Sequence, residues 1–179
     1  MALDFQPTLK GTLLELRPLR ADDWDDLFAV ASDPLIWEQH PASDRYKEPV
    51  FRKFFSDALE SGGALIALNR ADGRPIGSSR YHGYDPETSE VEIGWSFLAR
   101  AYWGGRYNGE MKRLMLQHAF RFVDNVVFLI GEENHRSRRA VEKIGAVLIG
   151  TRTGSDGQEK VVYRITVAGF ARGPLAERP

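Results

Sequence analysis

With 179 residues, 42% of them hydrophobic, the chain is the size of about one domain and is long enough to bury a real core. Its 24 Lys and Arg nearly balance 25 Asp and Glu, a net charge of −1, which excludes a protein whose chief partner is nucleic acid or an anionic membrane. Cysteine is absent, which excludes disulfides, thiolate catalysis and cysteine metal sites; the histidines at 40, 82, 118 and 135 have no metal-ligand spacing, so no metal is expected.

The N-terminus lacks the basic start and apolar run of a signal peptide. The longest apolar run, Val126 to Ile130, is far too short to span a bilayer, so the sequence predicts a soluble, cytoplasmic protein. Leu13-Leu14-Glu15-Leu16-Arg17 reads as a first strand, stopped by Pro18. Ala21 to Ala31 reads as a helix whose acidic first turn, Asp22 and Asp23, suits its positive end, with Trp24, Leu27, Phe28 and Ala31 on one face; Pro34 ends it. A loop from Asp33 to Lys47 holds Trp37, His40, Pro41 and Tyr46, and Glu48 to Leu59 reads as a second helix with Phe51, Phe54, Phe55, Ala58 and Leu59 apolar. Two uses are open to so many aromatics: filling the core, or lining a pocket for an acceptor.

Ser61-Gly62-Gly63 breaks that helix, and Ala64 to Asn69 is a short apolar strand. Ala71-Asp72-Gly73 is a hairpin turn into a strand from about Pro75 to Tyr84, and Asp85 to Thr88 turns into a strand ending at Phe97, whose residues from Val91 alternate apolar with small or polar. Three successive antiparallel strands follow from these turns. Beyond the central turn and helix, Val126 to Ile130 has the continuous apolar character of a strand buried on both faces, so a strand-helix-strand crossover makes it a parallel neighbour. Asn134 opens a helix, His135 to Ile144, closed by Gly145 as a left-handed cap. Ala146 to Thr151 and Glu159 to Val167 read as a terminal hairpin, and the tail from Gly169 to Pro179 as loosely held. The elements make an α/β (α+β) domain spanning the whole chain, a mixed, mostly antiparallel sheet of about seven strands flanked by about four helices.

The chain is organised around Trp103 to Met115, WGGRYNGEMKRLM. Here a strand gives way to a glycine-bearing turn and then to a helix in which Met111, Leu114, Met115, His118, Ala119 and Phe122 recur at helical spacing. The first amides of a helix have no partner within it and the peptide dipoles make that end positive, so such a turn suits an anion. Two adjacent glycines let the backbone approach a ligand and Arg106 adds a fixed charge, which points to a phosphate or pyrophosphate. Neither GxxxxGK[ST] nor GxGxxG with its later acidic residue is present, which disfavours nucleoside triphosphatases and dinucleotide enzymes.

The order of elements and motifs resembles the GNAT superfamily of acyl-CoA-dependent N-acetyltransferases over nearly the whole chain, most closely the RimJ and RimL branch. The residues that carry the resemblance are Leu14-Glu15-Leu16-Arg17-Pro18-Leu19, Asp33-Pro34 with Trp37, Glu92-Ile93-Gly94-Trp95, Tyr102-Trp103-Gly104-Gly105, Glu110, and Asn134, Ser137 and Glu142-Lys143-Ile144-Gly145. The resemblance implies acetyl-CoA as co-substrate and a primary amine as acceptor, a protein N-terminus or a small molecule, with no nucleic acid or membrane partner; a homodimer is compatible with it. It places the pyrophosphate of coenzyme A on Trp103, Gly104, Gly105, Arg106, Tyr107, Asn108 and Gly109. The pantetheine arm falls along Trp95 to Leu98 and the side chain of Asn134, with an oxyanion-binding amide at Phe97 or Leu98. Ser137 to Arg139 and Lys143, with Arg106, Lys112 and Arg113, supply cations near the phosphates.

The sequence departs from the family pattern in its phosphate loop and at one helix position. In the family's Q/R-x-x-G-x-G/A loop, Trp103 takes the first place, Arg106 a glycine's place and Asn108 that of glycine or alanine. Val141 stands where many members carry a tyrosine that protonates the leaving thiolate, and Ser137 is the substitute the RimL-like branch suggests. An attacking amine must lose a proton, which assigns Glu92 as general base with His82 as the runner-up, while His118 on an apolar helix face reads as core. A non-catalytic acyl-CoA-binding or regulatory module, and an acyltransferase using another donor such as succinyl-CoA with Arg80 as a clue, stay open beside the acetyltransferase.

Overall fold

The computed structural model describes residues 1–176. Leu14–Pro18 (β2) begins where the apolar alternation begins, and a two-residue strand before it, Leu9–Lys10 (β1), is too short to leave a pattern in the sequence. The predicted first helix starts with a 3-10 turn at Ala21–Asp23 and becomes α-helical only over Trp24–Ala31 (α1). Asp23 is occupied there: its carboxylate accepts from the Arg20 amide at 2.8 Å and forms a two-pronged pair with Arg17 of β2 at 2.7 and 2.9 Å. The Arg17 guanidinium and the Arg20 amide outweigh the burial of Asp23 and hold its carboxyl below the usual range. The helix over Glu48–Ser61 (α2) ends at Gly62 in the left-handed conformation, and Ala64–Asn69 (β3), Pro75–Asp85 (β4) and Glu90–Leu98 (β5) follow as antiparallel neighbours.

Arg106–Ala119 (α3) crosses to Asn125–Ile130 (β6), which pairs parallel to β5, as the crossover requires. His135–Lys143 (α4) precedes Val147–Thr153 (β7) and Glu159–Thr166 (β8), and β8 inserts between β6 and β7. The sheet order is β1-β2-β3-β4-β5-β6-β8-β7, eight strands against the seven expected. A fifth helix, Val167–Arg172 (α5), stands where the sequence suggests a loose tail. Its Phe170 packs against Phe120, with ring centroids 5.4 Å apart, and Leu175 lies against the core. Among the described residues no helix is long and apolar enough to cross a membrane.

The sheet separates two apolar layers. On one side α3 and α4 bury Met111, Met115, Val141 and Ile144 against Tyr81, Ile93 and Tyr163; on the other α1 and α2 bury Leu27, Phe51, Phe54 and Phe55 with Trp37 and Phe97. Most of the early aromatics therefore fill core. His118 belongs to the α3 side, buried, with Nε2 2.8 Å from the Asp4 carbonyl. Glu110, one turn into α3, accepts from the amides of Thr12, Leu13 and Leu14 at 2.7–2.8 Å and so fastens the N-terminal edge of the sheet to that helix.

Candidate active site

An irregularity in β5 sets the site. Phe97 pairs with Ser78 and Gly94 with Arg80, so Trp95 and Ser96 together oppose the single residue Ser79 of β4. This is a β-bulge, and Trp95 adopts φ 52°, a left-handed conformation costly for a bulky side chain. Strict alternation would send Trp95 toward α3. With the extra residue, Glu92, Trp95 and Phe97 share the α2 side, while Ile93, Ser96 and Leu98 face α3. On β4, Arg80 and His82 lie on the same face as Glu92, His82 directly opposite it.

These strands and the β7–β8 turn enclose a cavity of about 470 Å³, with Glu92, Arg80 and Trp95 on the sheet, Phe54, Lys53 and Asp57 on α2, His40 and Arg45 on the early loop, and Asp156 and Lys160 beside the turn. Glu92 is half-buried, and burial raises its carboxyl from 4.5 to about 7 against the opposing pull of Lys160, Arg80 and Arg152. It thus holds the near-neutral pKa that a general base needs. Burial also lowers His82, with Arg80 adding to the effect, and lowers His40 to about 3, so His40 is neutral; its Nδ1 accepts from the Ala42 amide at 2.9 Å. A larger depression, about 980 Å³, lies between α1 and the β3–β4 turn; its Asp33–Arg100 pair is satisfied at 2.5 Å and it does not include Glu92.

On the α3 side, β5 and β6 pair only from Glu90 with Asn125 to Glu92 with Val127. Beyond that point they diverge, and Phe128–Ile130 pair with β8 alone. The wedge opens between the head of α3, which follows β5, and the head of α4, which follows β6. Ala99 donates to the Ile76 carbonyl at 2.7 Å, so by the alternation of an antiparallel ladder Phe97 also turns its amide to β4, and Leu98 turns its own into the wedge. Of the two expected amides, Leu98 is the one placed to meet a ligand. Its carbonyl accepts from the Trp103 indole at 2.9 Å.

The turn is built on Gly104 and Gly105, with φ of 112° and 105°, and a Cβ on either would meet no atom within 4 Å. Arg106 and Asn108 fall inside the first turn of α3, so neither side chain occupies a left-handed position; the two glycines one or two places earlier do so instead. The open surface and the unpaired first amides of α3 suit an anion. Tyr107 packs on Tyr102 at 4.8 Å, anchoring the turn, and Gly109 donates to the Gly105 carbonyl at 2.8 Å. Arg106 and Arg139 are exposed near the two helix heads. Asn134 is buried, and its side chain accepts from the Ser137 amide at 3.4 Å, the cap predicted from sequence; Ser137 is half-buried on α4. Glu92 and Ser137 are not gathered into one cavity.

Two of the expected phosphate cations lie elsewhere. Arg113 is held by Glu110 at 3.7 Å and by Gln117. Lys112 is 4% exposed, its amine donates to Ser96 Oγ and stands 5.6 Å from the Phe128 ring, and burial lowers it to about 7. Ser96 is in turn 2.8 Å from Ser79 Oγ, so Lys112 heads a short polar chain that runs from α3 across β5 to β4. The sequence carries a signal for this: Lys112, Met115, Leu116 and Ala119 have the spacing of a buried helical stripe. Val141 is buried in the α3-side core, 5% exposed.

Residues 14–147, more than half of the chain, match the family model described as an acetyltransferase (GNAT) domain. No curated protein matches the sequence. Among solved structures, an acetyltransferase of Agrobacterium tumefaciens is 25% identical with a TM-score of 0.70, over 89% of this chain and 94% of that one. A GCN5-related N-acetyltransferase of Brucella melitensis (21% identical, TM-score 0.76, 92% and 80% covered) and Mycobacterium smegmatis RimJ in complex with CoA-disulfide (18%, 0.67, 94% and 90%) share the fold. The matched residues include the diverging strands and the glycine turn, and the chain belongs to the GNAT acetyltransferase family.

Proposed function

We propose that the protein moves an acetyl group from acetyl-CoA to a primary amine within a ternary complex. The observation that carries this reading is the divergence of β5 from β6 after Glu92 and Val127, between the heads of two helices. The residues present suit the co-substrate. Gly104, Gly105 and the first amides of α3 with Arg106 would take the pyrophosphate, Arg139 would add charge, and Leu98 with Asn134 would border the pantetheine arm.

In the transfer the amine nitrogen bonds to the thioester carbonyl carbon, the carbon–sulfur bond breaks, and coenzyme A leaves as its thiol. Glu92 takes the proton that the amine gives up, directly or through water, from the cavity on the α2 side. The Leu98 amide faces the oxygen on which charge develops. Ser137 is the hydroxyl on α4 from which the thiolate regains a proton, Val141 having none to give. Juxtaposition supplies roughly 7–11 kcal/mol of the barrier and a single acid or base about 3–5 kcal/mol, so holding the two substrates together matters more than any one proton transfer.

The test is calorimetric titration with acetyl-CoA and CoA, followed by thiol release in the presence of amines. Micromolar binding with amine-dependent thiol release is expected. Binding without thiol release for any amine would make this a coenzyme-binding module, and no binding would remove the turn at 103–109 as a phosphate site.

A further inference from the structure

Among the described residues, the buried side-chain nitrogen atoms without a hydrogen-bond partner are Nε and Nη2 of Arg80 and Nε of Arg45. Both arginines line the cavity that holds Glu92. Arg80 is only 6% exposed, so its guanidinium has given up most of its water without gaining a protein acceptor. Aromatic faces hold the two groups in place: Arg80 stands 4.4 Å from the Trp95 ring, and Arg45 and Arg80 share Phe54 at 4.6 and 5.6 Å. Burial lowers both arginines to about 10, and Arg80 adds repulsion on Arg45.

The other charges of the cavity are accounted for. Lys53 pairs with Asp57 at 2.9 Å and Lys160 with Asp156 at 2.8 Å, so two guanidinium charges remain opposite the single carboxyl of Glu92. A simple cationic amine entering here meets an excess of positive charge. An amine that brings its own carboxylate meets the free Nε and Nη2 fork of Arg80 and the free Nε of Arg45, whose Nη1 lies 3.5 Å from His40 Nε2.

We propose that the acceptor is an amine that also carries a carboxylate, of the amino-acid class, with the carboxylate on Arg80 and Arg45 and the amine turned to Glu92. This rests on the acetyltransferase reading and gives its acceptor site a substrate class. A carboxylate could also arrive on the donor, as in succinyl-CoA, and the test separates the two sources.

Thiol release at saturating acetyl-CoA is measured for free L-amino acids and for their carboxamides, with wild type, Arg80→Gln and Arg45→Gln, and the Kd for acetyl-CoA and for succinyl-CoA is measured alongside. Each variant is checked by thermal unfolding, and the two replacements keep the test open if one of them fails to fold. In wild type at least one acid is expected to exceed its amide in kcat/KM by about 100-fold. In the variants that ratio falls toward one while acetyl-CoA affinity holds, and the change in ratio between proteins is independent of the intrinsic reactivity of each amine. Amides that match the acids in wild type, or a preference that survives both replacements, overturn the acceptor class and leave the transferase standing. Loss of succinyl-CoA affinity alone in Arg80→Gln, with acids and amides equal, assigns the carboxylate to the donor and also overturns it. No thiol release from any amine by a protein that binds acetyl-CoA removes the transferase reading and this proposal with it.

Discussion

Glu92→Gln should change stability in a way that depends on pH. Glu92 holds its proton to about pH 7 in the folded state against 4.5 for an ordinary glutamate, because burial disfavours the charge more than Lys160, Arg80 and Arg152 favour it. The folded state therefore binds the proton more tightly than the unfolded chain. The stabilisation this gives is complete below about pH 4.5, is lost as pH rises toward 7, and is absent above. Each tenfold gain in proton affinity on folding is worth about 1.4 kcal/mol, which sets a ceiling of about 3 kcal/mol; water entering the open cavity brings the expectation to about 1–3 kcal/mol. Glutamine has the same shape and no charge to bury. Urea unfolding of both proteins at pH 4.5 and pH 8 should show little difference at the first and a more stable variant at the second, with Tm higher by about 2–4 °C per kcal/mol. All other titrating groups are common to the two proteins and cancel in the comparison. A difference that is the same at both pH values, or a variant less stable at pH 8, would refute the raised carboxyl and with it the proposed near-neutral base.

Lys112 should give the opposite slope. Its folded pKa of about 7 lies below the 10.5 of a free lysine, so the folded state releases the proton first and stability rises between about pH 7 and 10.5, at up to about 1.4 kcal/mol for each step of one in pH. Lys112→Met should flatten that rise in unfolding measurements across the window, and an equal rise in both proteins would mean an ordinary solvated amine. Glu110→Ala should strand the amides of Thr12, Leu13 and Leu14 and cost about 3–5 kcal/mol, lowering Tm by about 10 °C. A loss below about 1 kcal/mol in calorimetry would show that the N-terminal edge has another anchor.

Element order was legible because most of the chain obeys one period at a time. The alternation of β2 to β5, the apolar run of β6 and the caps at Asn134 and Gly145 each have a local cause, and local causes survive folding. What failed to show has non-local causes. β1 exists only because two residues pair with Glu15 and Leu16, and α5 because Phe170 finds Phe120. The turn at 103–109 is visible in the sequence, but its conformation is displaced by one or two residues: the family pattern has a glycine where Arg106 stands, whereas Gly104 and Gly105 adopt the positive φ. Glu92 was legible as an acid on β5. The bulge that brings Trp95 round beside it was not, since Val91 to Phe97 reads as plain alternation and the extra residue is visible only against the partner strand.

Arg80 shows why the proposed acceptor side needs the fold. In sequence it is one arginine on a strand, and nothing nearby tells whether it faces solvent, core or site. Its environment comes from Phe54 on α2, Arg45 on the early loop and Trp95 beyond the bulge, three segments that meet only once the sheet has formed. Their meeting is also where the structure departs from what stability alone would select. A left-handed tryptophan, a carboxyl raised to about 7, three guanidinium nitrogens of Arg80 and Arg45 without partners and a buried amine at about 7 all lie on or beside one kinked strand, and each disfavours the folded state. Elsewhere in the described chain the partly buried charges are matched, Asp23 by Arg17 and Glu110 by three amides. Costs that cluster in this way, against a background in which they are avoided, mark β5 as a candidate functional site and support the proposed binding and proton transfer there. The same reasoning makes Arg80 the residue whose removal should raise stability while lowering the choice between acids and amides, a pairing of effects that a purely structural arginine would not give.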